Sequence, residues 1–297
     1  MLVVDVPPSG TAPHFQYGWE QKDKDRVTFN APHRINDETF YMTEHQVARA
    51  YQERFTRQTA ADALLQTRLD ELTETVLAES KDAAWLVVVA QPVRPAPRLV
   101  PAPTRAQTQD VLGRAVKTAG RLKDAFSGQT VIANALNNDM QVGLRRWIDS
   151  SFLVPERRED LRSVMVELHH DGTVTAGVDL THGLRRSAGS SVTPLNTVVL
   201  DNAVIEAVAL AAAFRSFRTP DSPVDIVASI AKDNADDRLA PVHKRYDDTQ
   251  VIPDTRRPPR LLPASTQLPP QTDDAVLRES AHELSTGLLH QFGLTHC

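Results

Sequence analysis

Five basic side chains stand close together near the start of the chain: Lys22, Lys24, Arg26, His33 and Arg34. Ammonium and guanidinium groups in a polar stretch attract a phosphate backbone, and they place a protein on nucleic acid without reading its sequence. Asp23 and Asp25 alternate with the bases and blunt the local field, so an ordinary solvated loop is the competing reading. Two other basic spots are Arg145-Arg146 beside Trp147 and Arg185-Arg186 after His182-Gly183. A tryptophan beside arginines can stack on a base, but such a ring more often anchors a local core.

Other chemistries find little support. His169-His170-Asp171 has metal-ligating residue types, yet neighbours on a strand point to opposite faces, so the two histidines would not share one ion, and Asp171 suits a turn. His282, His290 and His296 are widely spaced. Gly10, Gly18, Gly113 and Gly120 form no dinucleotide fingerprint, and no lysine follows a Walker-type loop. The run Ser187-Ala188-Gly189-Ser190-Ser191 reads as a connector, and neither Ser150-Ser151 nor Ser190-Ser191 sits in a strand–turn–helix nucleophile context. Cys297 is terminal, and Asp236-Asp237 and Asp247-Asp248 fall in a proline-rich tail, a poor place for preorganised acid–base work. The expectation is a non-catalytic protein with no cofactor and no metal.

Composition bounds the rest. The chain has 297 residues and a formal net charge of −5, which excludes the uniformly basic field of a non-specific nucleic-acid binder and leaves room only for a local patch. A single cysteine allows no intrachain disulfide and suits a reducing, cytoplasmic setting. The apolar residues 2–6 are too short for a signal or a membrane span, and the apolar stretch 203–214, interrupted by Glu206, reads as a buried helix.

The elements that would position these residues follow from periodicity. Residues 2–6 form a strand that ends at Pro7-Pro8; it needs neighbours, supplied either by later strands or by a half-domain preceding Met1. Thr43 and Gln46 make a capping box with Met42 as staple, opening a helix that carries Val47, Tyr51 and Phe55; a second helix is expected over 60–79. Residues 85–90 are apolar throughout, as in a strand covered on both faces. A helix follows over 105–126, then a hairpin over 161–180 turning at Asp171-Gly172, a helix over 201–217 and a strand over 224–231. Beyond 233 prolines accumulate around Arg256-Arg257-Pro258-Pro259-Arg260, which predicts low order, with a terminal helix over 273–292.

Val3 to Ser9, Ala12-Pro13-His14 and the aromatic run from Phe40 into a polar-capped helix resemble the second half of the AlbA-2 domain, the DNA-binding domain associated with Schlafen-type proteins and many bacterial regulators. The resemblance covers residues 1–58, and the family's opening half would lie upstream of Met1. Pro32-His33-Arg34-Ile35-Asn36 stands where the family has an aromatic-Arg-x-Gly element, with Asn36, which tolerates left-handed geometry, in the glycine position. The resemblance implies a bacterial, DNA-binding, transcription-associated regulator, with Lys22, Lys24, Arg26, His33 and Arg34 as the contacts.

The resulting expectation is an α+β protein. Residues 1–80 form a partial mixed sheet with trailing helices, 83–235 a second domain of α/β type, and 236–297 a Pro/Arg-rich tail. The expected partner is DNA; the alternative is a structural or dimerisation module that pairs through its N-terminal strand with a second copy or another protein, and no membrane partner is expected.

Overall fold

The computed structural model describes residues 12–21, 24–35, 38–123, 130–135, 140–153, 162–184, 192–233, 238–245, 248–252, 255–256, 258 and 260–295. The chain divides into two compact units, Met1–Leu64 and Leu65–Cys297. The expected strand over 2–6 lies outside the described residues.

The described residues of the first unit form two hairpins and the start of a helix. β1 (Gln16–Gln21) pairs antiparallel with β2 (Lys24–Asn30), with an irregularity between Tyr17 and Trp19. β3 (Pro32–Ile35) pairs antiparallel with β4 (Glu38–Tyr41), and the ladder continues as the Met42 N–H donates to the Ala31 carbonyl at 2.9 Å. Thr43 then caps α1 (Glu44–Glu79): its N–H donates to Gln46 Oε1 at 2.8 Å and its Oγ1 accepts from the Gln46 N–H at 3.4 Å, the reciprocal box expected from sequence. The two helices expected here are one helix of 36 residues. No glycine or proline interrupts it, and pairs such as Arg49–Glu53 at 2.9 Å support the polar middle.

The second unit is α+β, built on a seven-stranded antiparallel sheet. In chain order its elements are β5 (Trp85–Pro92), α2 (Arg105–Leu122), the single turn α3 (Ile132–Ala135), β6 (Gln141–Gly143), β7 (Arg146–Ser150), β8 (Val164–His169), β9 (Val174–Asp179) and β10 (Val192–Asn196). There follow α4 (Thr197–Arg218), β11 (Val224–Ala231), β12 (Arg238–Arg245), β13 (Asp248–Val251), β14 (Ala264–Leu268) and α5 (Asp274–Leu289). The large sheet runs β14-β11-β5-β9-β8-β7-β6, and a small sheet runs β10-β12-β13 with β10 parallel to β12.

Strand alternation sends Leu86, Val88 and Ala90 of β5 to one face, where they join Val166, Leu168 and the apolar sides of α2, α4 and α5. Trp85, Val87 and Val89 go to the other face and meet Leu69, Leu72 and Val76 of α1, with Met165 and Phe152. β5 is therefore buried along its whole length, which is why its sequence is apolar without alternation. Gly177 on β9 permits the helix to approach: a Cβ there would stand 2.6 Å from Val76 Cγ1. The β8–β9 turn is the expected one, with Gly172 at φ 101° and Asp171 Oδ1 accepting from the Thr173 N–H at 2.9 Å.

α4 is the central helix of its face and packs on α2, α5 and the sheet. It is the one described helix long and apolar enough to cross a membrane, and 78% of that apolar window is buried inside the protein, so it is a core helix.

The compact units divide at Leu64/Leu65. The second unit begins at Leu65, because the end of α1 is part of its core, and it runs to the C-terminus. The tail read as low order supplies β14, which pairs with β11 from Ala264 to Leu268, and α5, which buries Leu277, Ala281, Leu284 and Leu288. Proline density hid β14, because the prolines bracket it without entering it, while α5 is the terminal helix expected over 273–292.

Candidate nucleic-acid interface

Among the first-unit residues whose burial is described, Pro13 and Ala31 are buried, whereas Tyr17, Phe40 and Tyr41 are 66%, 47% and 54% exposed. Phe15, Tyr51 and Phe55 stack in series, with ring centroids 6.3 and 6.4 Å apart. Each exposed ring leaves apolar surface in water with a flat face open to stacking.

The β3–β4 register sorts the predicted contacts. His33 lies opposite Phe40 and Arg34 opposite Thr39, with Pro32 opposite Tyr41. Positions alternate across a strand, so Arg34 shares its face with Tyr41 diagonally, while His33 shares the other face with Phe40. Both His33 and Arg34 are exposed. Lys24 and Arg26 lie on β2, in register with Gln21 and Trp19. Lys22 lies outside the described residues. Sequence reasoning named the bases but missed Phe40 and Tyr41 as partners; the signal was available, two aromatics at the end of a short strand facing a basic one.

The other basic spots separate. Trp147 is a core anchor: its Nε1–H donates to the Pro103 carbonyl at 2.8 Å, and its ring packs on the main core. Arg146 turns to Glu167, with Nε 3.2 Å from Oε1. Arg145 sits in the turn before β7 at φ 57°. Arg185 and Arg186 lie outside the described residues.

Arg146 leads to a polar cluster within the second unit that sequence reasoning did not assemble. Glu167 and His169 are two apart on β8, so they share the face of Met165, and Thr175 lies opposite Glu167 on β9. Glu167 Oε2 is 3.1 Å from His169 Nε2 and accepts from Thr175 Oγ1 at 3.0 Å. Burial would raise the Glu167 carboxyl, but the hydrogen bond and charge of His169, the charge of Arg146 and the Thr175 hydroxyl outweigh it and hold it below the usual carboxylate range. All three of Glu167, His169 and Thr175 are buried, and the cluster ties β7, β8 and β9 together.

A second buried set fixes the segment after α2. Glu206 on α4 pairs with Lys123 Nζ and accepts from the N–H groups of Val131 and Ile132 at 2.7 and 2.6 Å. The carboxylate that interrupts the apolar helix in sequence is thus the fixing point for a neighbouring turn. Among the described residues no group of three or more His, Cys, Asp or Glu is arranged to hold a metal ion. Compared with protein-family models, curated proteins and solved structures, the chain matches none of them.

Proposed function

We propose that this chain is a cytoplasmic, nucleic-acid-associated regulatory protein that works without catalysis, with the first unit as its contact surface. The observation that carries the reading is the exposed face on which Arg34 and Tyr41 sit together on the β3–β4 hairpin. Arg34, with Lys24 and Arg26, supplies phosphate contacts, and Tyr41 supplies a ring for stacking on an unpaired base. The second unit, closed and well packed, serves as the scaffold. A net charge of −5 limits affinity and makes binding strongly salt-dependent.

The test is fluorescence-anisotropy binding to single- and double-stranded DNA over a salt series. The triple variant Lys24→Ala, Arg26→Ala, Arg34→Ala should weaken binding and flatten the log–log salt slope by about 2–3, since each phosphate left without its cation removes about 0.7–0.9 from that slope. Tyr41→Ala should weaken single-stranded binding by about 1–3 kcal/mol and leave the slope unchanged. No binding at low salt would remove DNA from the account and favour the alternative, a protein-interaction module.

A further inference from the structure

β14 closes one end of the large sheet, and among the described residues it pairs with β11 alone. Its outer row of N–H and C=O groups is therefore a template for one more strand. Natural edge strands are commonly protected by lysine, proline or a bulge; β14, Ala-Ser-Thr-Gln-Leu, has none of these, and Pro263 and Pro269 stand only at its ends. The opposite edge, β6, is three residues long.

Beside the β14 edge lies a groove of about 670 Å³ between the strand and α5. Thr266 and Gln267 line it from the strand, and Glu279, His282, Glu283 and His290 from the helix; among the described residues no lysine or arginine lines it. Glu279 and Glu283 are exposed, and Glu283 accepts from the Thr266 hydroxyl at the mouth of the groove. Across the strand, Gln267 Nε2 donates to Asp225 Oδ1 at 2.6 Å, which places a carboxylate beside the other face. Side chains of an added strand alternate between these two faces, so on each they meet carboxylates.

We propose that this edge and groove take an extended, lysine- or arginine-rich segment of a partner protein as an additional strand. Its main chain pairs with β14, and its basic side chains reach Glu279 and Glu283 on the helix side and Asp225 on the other. The same carboxylates repel a phosphate backbone, so this surface is separate from the nucleic-acid face proposed for the first unit.

The probe is a fluorescein-labelled peptide of Lys-Lys-Val repeats, which as a strand presents lysines on both faces, titrated into the full chain by anisotropy. Saturable binding is expected, weakened about tenfold or more in the double variant Glu279→Lys, Glu283→Lys. Strand pairing uses one edge of the peptide, so N-methylating one alternate set of its amides should abolish binding while methylating the other set leaves it intact. This second readout uses the unmodified chain and does not depend on how the variant folds. Absence of saturable binding, equal affinity for the double variant in its folded form, or indifference to both methylated peptides would overturn the proposal.

Discussion

The two units of this chain handle apolar surface in opposite ways. In the second, β5 is buried at every position and Phe214, Leu200 and Leu210 of α4 are almost wholly withdrawn from solvent. In the described part of the first, Phe40 and Tyr41 are about half exposed on a two-stranded ribbon. A two-stranded ribbon is marginal by itself, whereas a seven-stranded sheet covered on both faces sustains its own fold. The difference teaches where stability resides and where apolar rings stay in contact with water. The second unit commits its β5 and α4 to internal contacts, buried charges included, and the first keeps Phe40, Tyr41 and Arg34 at the surface, the arrangement on which the proposed function rests.

That contrast is open to direct attack. Glu206→Ala removes the buried carboxylate that pairs with Lys123 and accepts from the N–H groups of Val131 and Ile132, so it should cost about 3–5 kcal/mol, whereas Phe40→Ala on the open hairpin should change stability by less than about 0.5 kcal/mol. Urea unfolding of both variants checks this, and comparable losses would erase the proposed distinction between the units.

A smaller effect sharpens the account of buried charge. Asp201, between α4 and α5, has its carboxyl raised to about 6: burial is the main cause, opposed by the Ser285 hydrogen bond and the charge of His282. Its Oδ1 is buried without a hydrogen-bond partner among the described residues. Between pH about 4 and 6 the native state holds a proton that the unfolded chain has released, so this contribution to stability is full below about pH 4 and lost as pH rises through 6. At neutral pH the ionised group then costs about 2–3 kcal/mol, at 1.36 kcal/mol per pKa unit. Asp201→Asn should recover about that amount at pH 7 and flatten the pH dependence of the urea midpoint between 4 and 6; unchanged stability at pH 7 would contradict the burial argument.

How much of this was legible in the sequence depended on the range of the interaction. The β8–β9 hairpin was readable because Asp171-Gly172 encodes its turn locally, and the start of α1 because Thr43 and Gln46 satisfy each other three residues apart. The uniform apolarity of β5 announced two covered faces. The α+β class followed from these elements. The role of Glu206 was not legible: its partners are 73 to 83 residues away. β14 was obscured by proline-rich flanks, since composition records the connectors more loudly than a five-residue strand, whereas α5 was readable from the apolar spacing of Val276, Leu284, Leu288 and Leu289. At the candidate interface the bases could be named from charge, but their pairing with Tyr41 and Phe40 depends on the β3–β4 register, which no single segment encodes.

Hydrogen exchange of the full chain, with and without a single-stranded oligonucleotide of roughly 20 nucleotides, tests the division of labour most directly, because it reads both units in one sample. The account predicts new protection across β2 to β4, on the unit that carries Lys24, Arg26, Arg34 and Tyr41, with exchange in β5 and α4 unchanged. Protection confined to the second unit, or none at an oligonucleotide concentration that saturates binding, would contradict it.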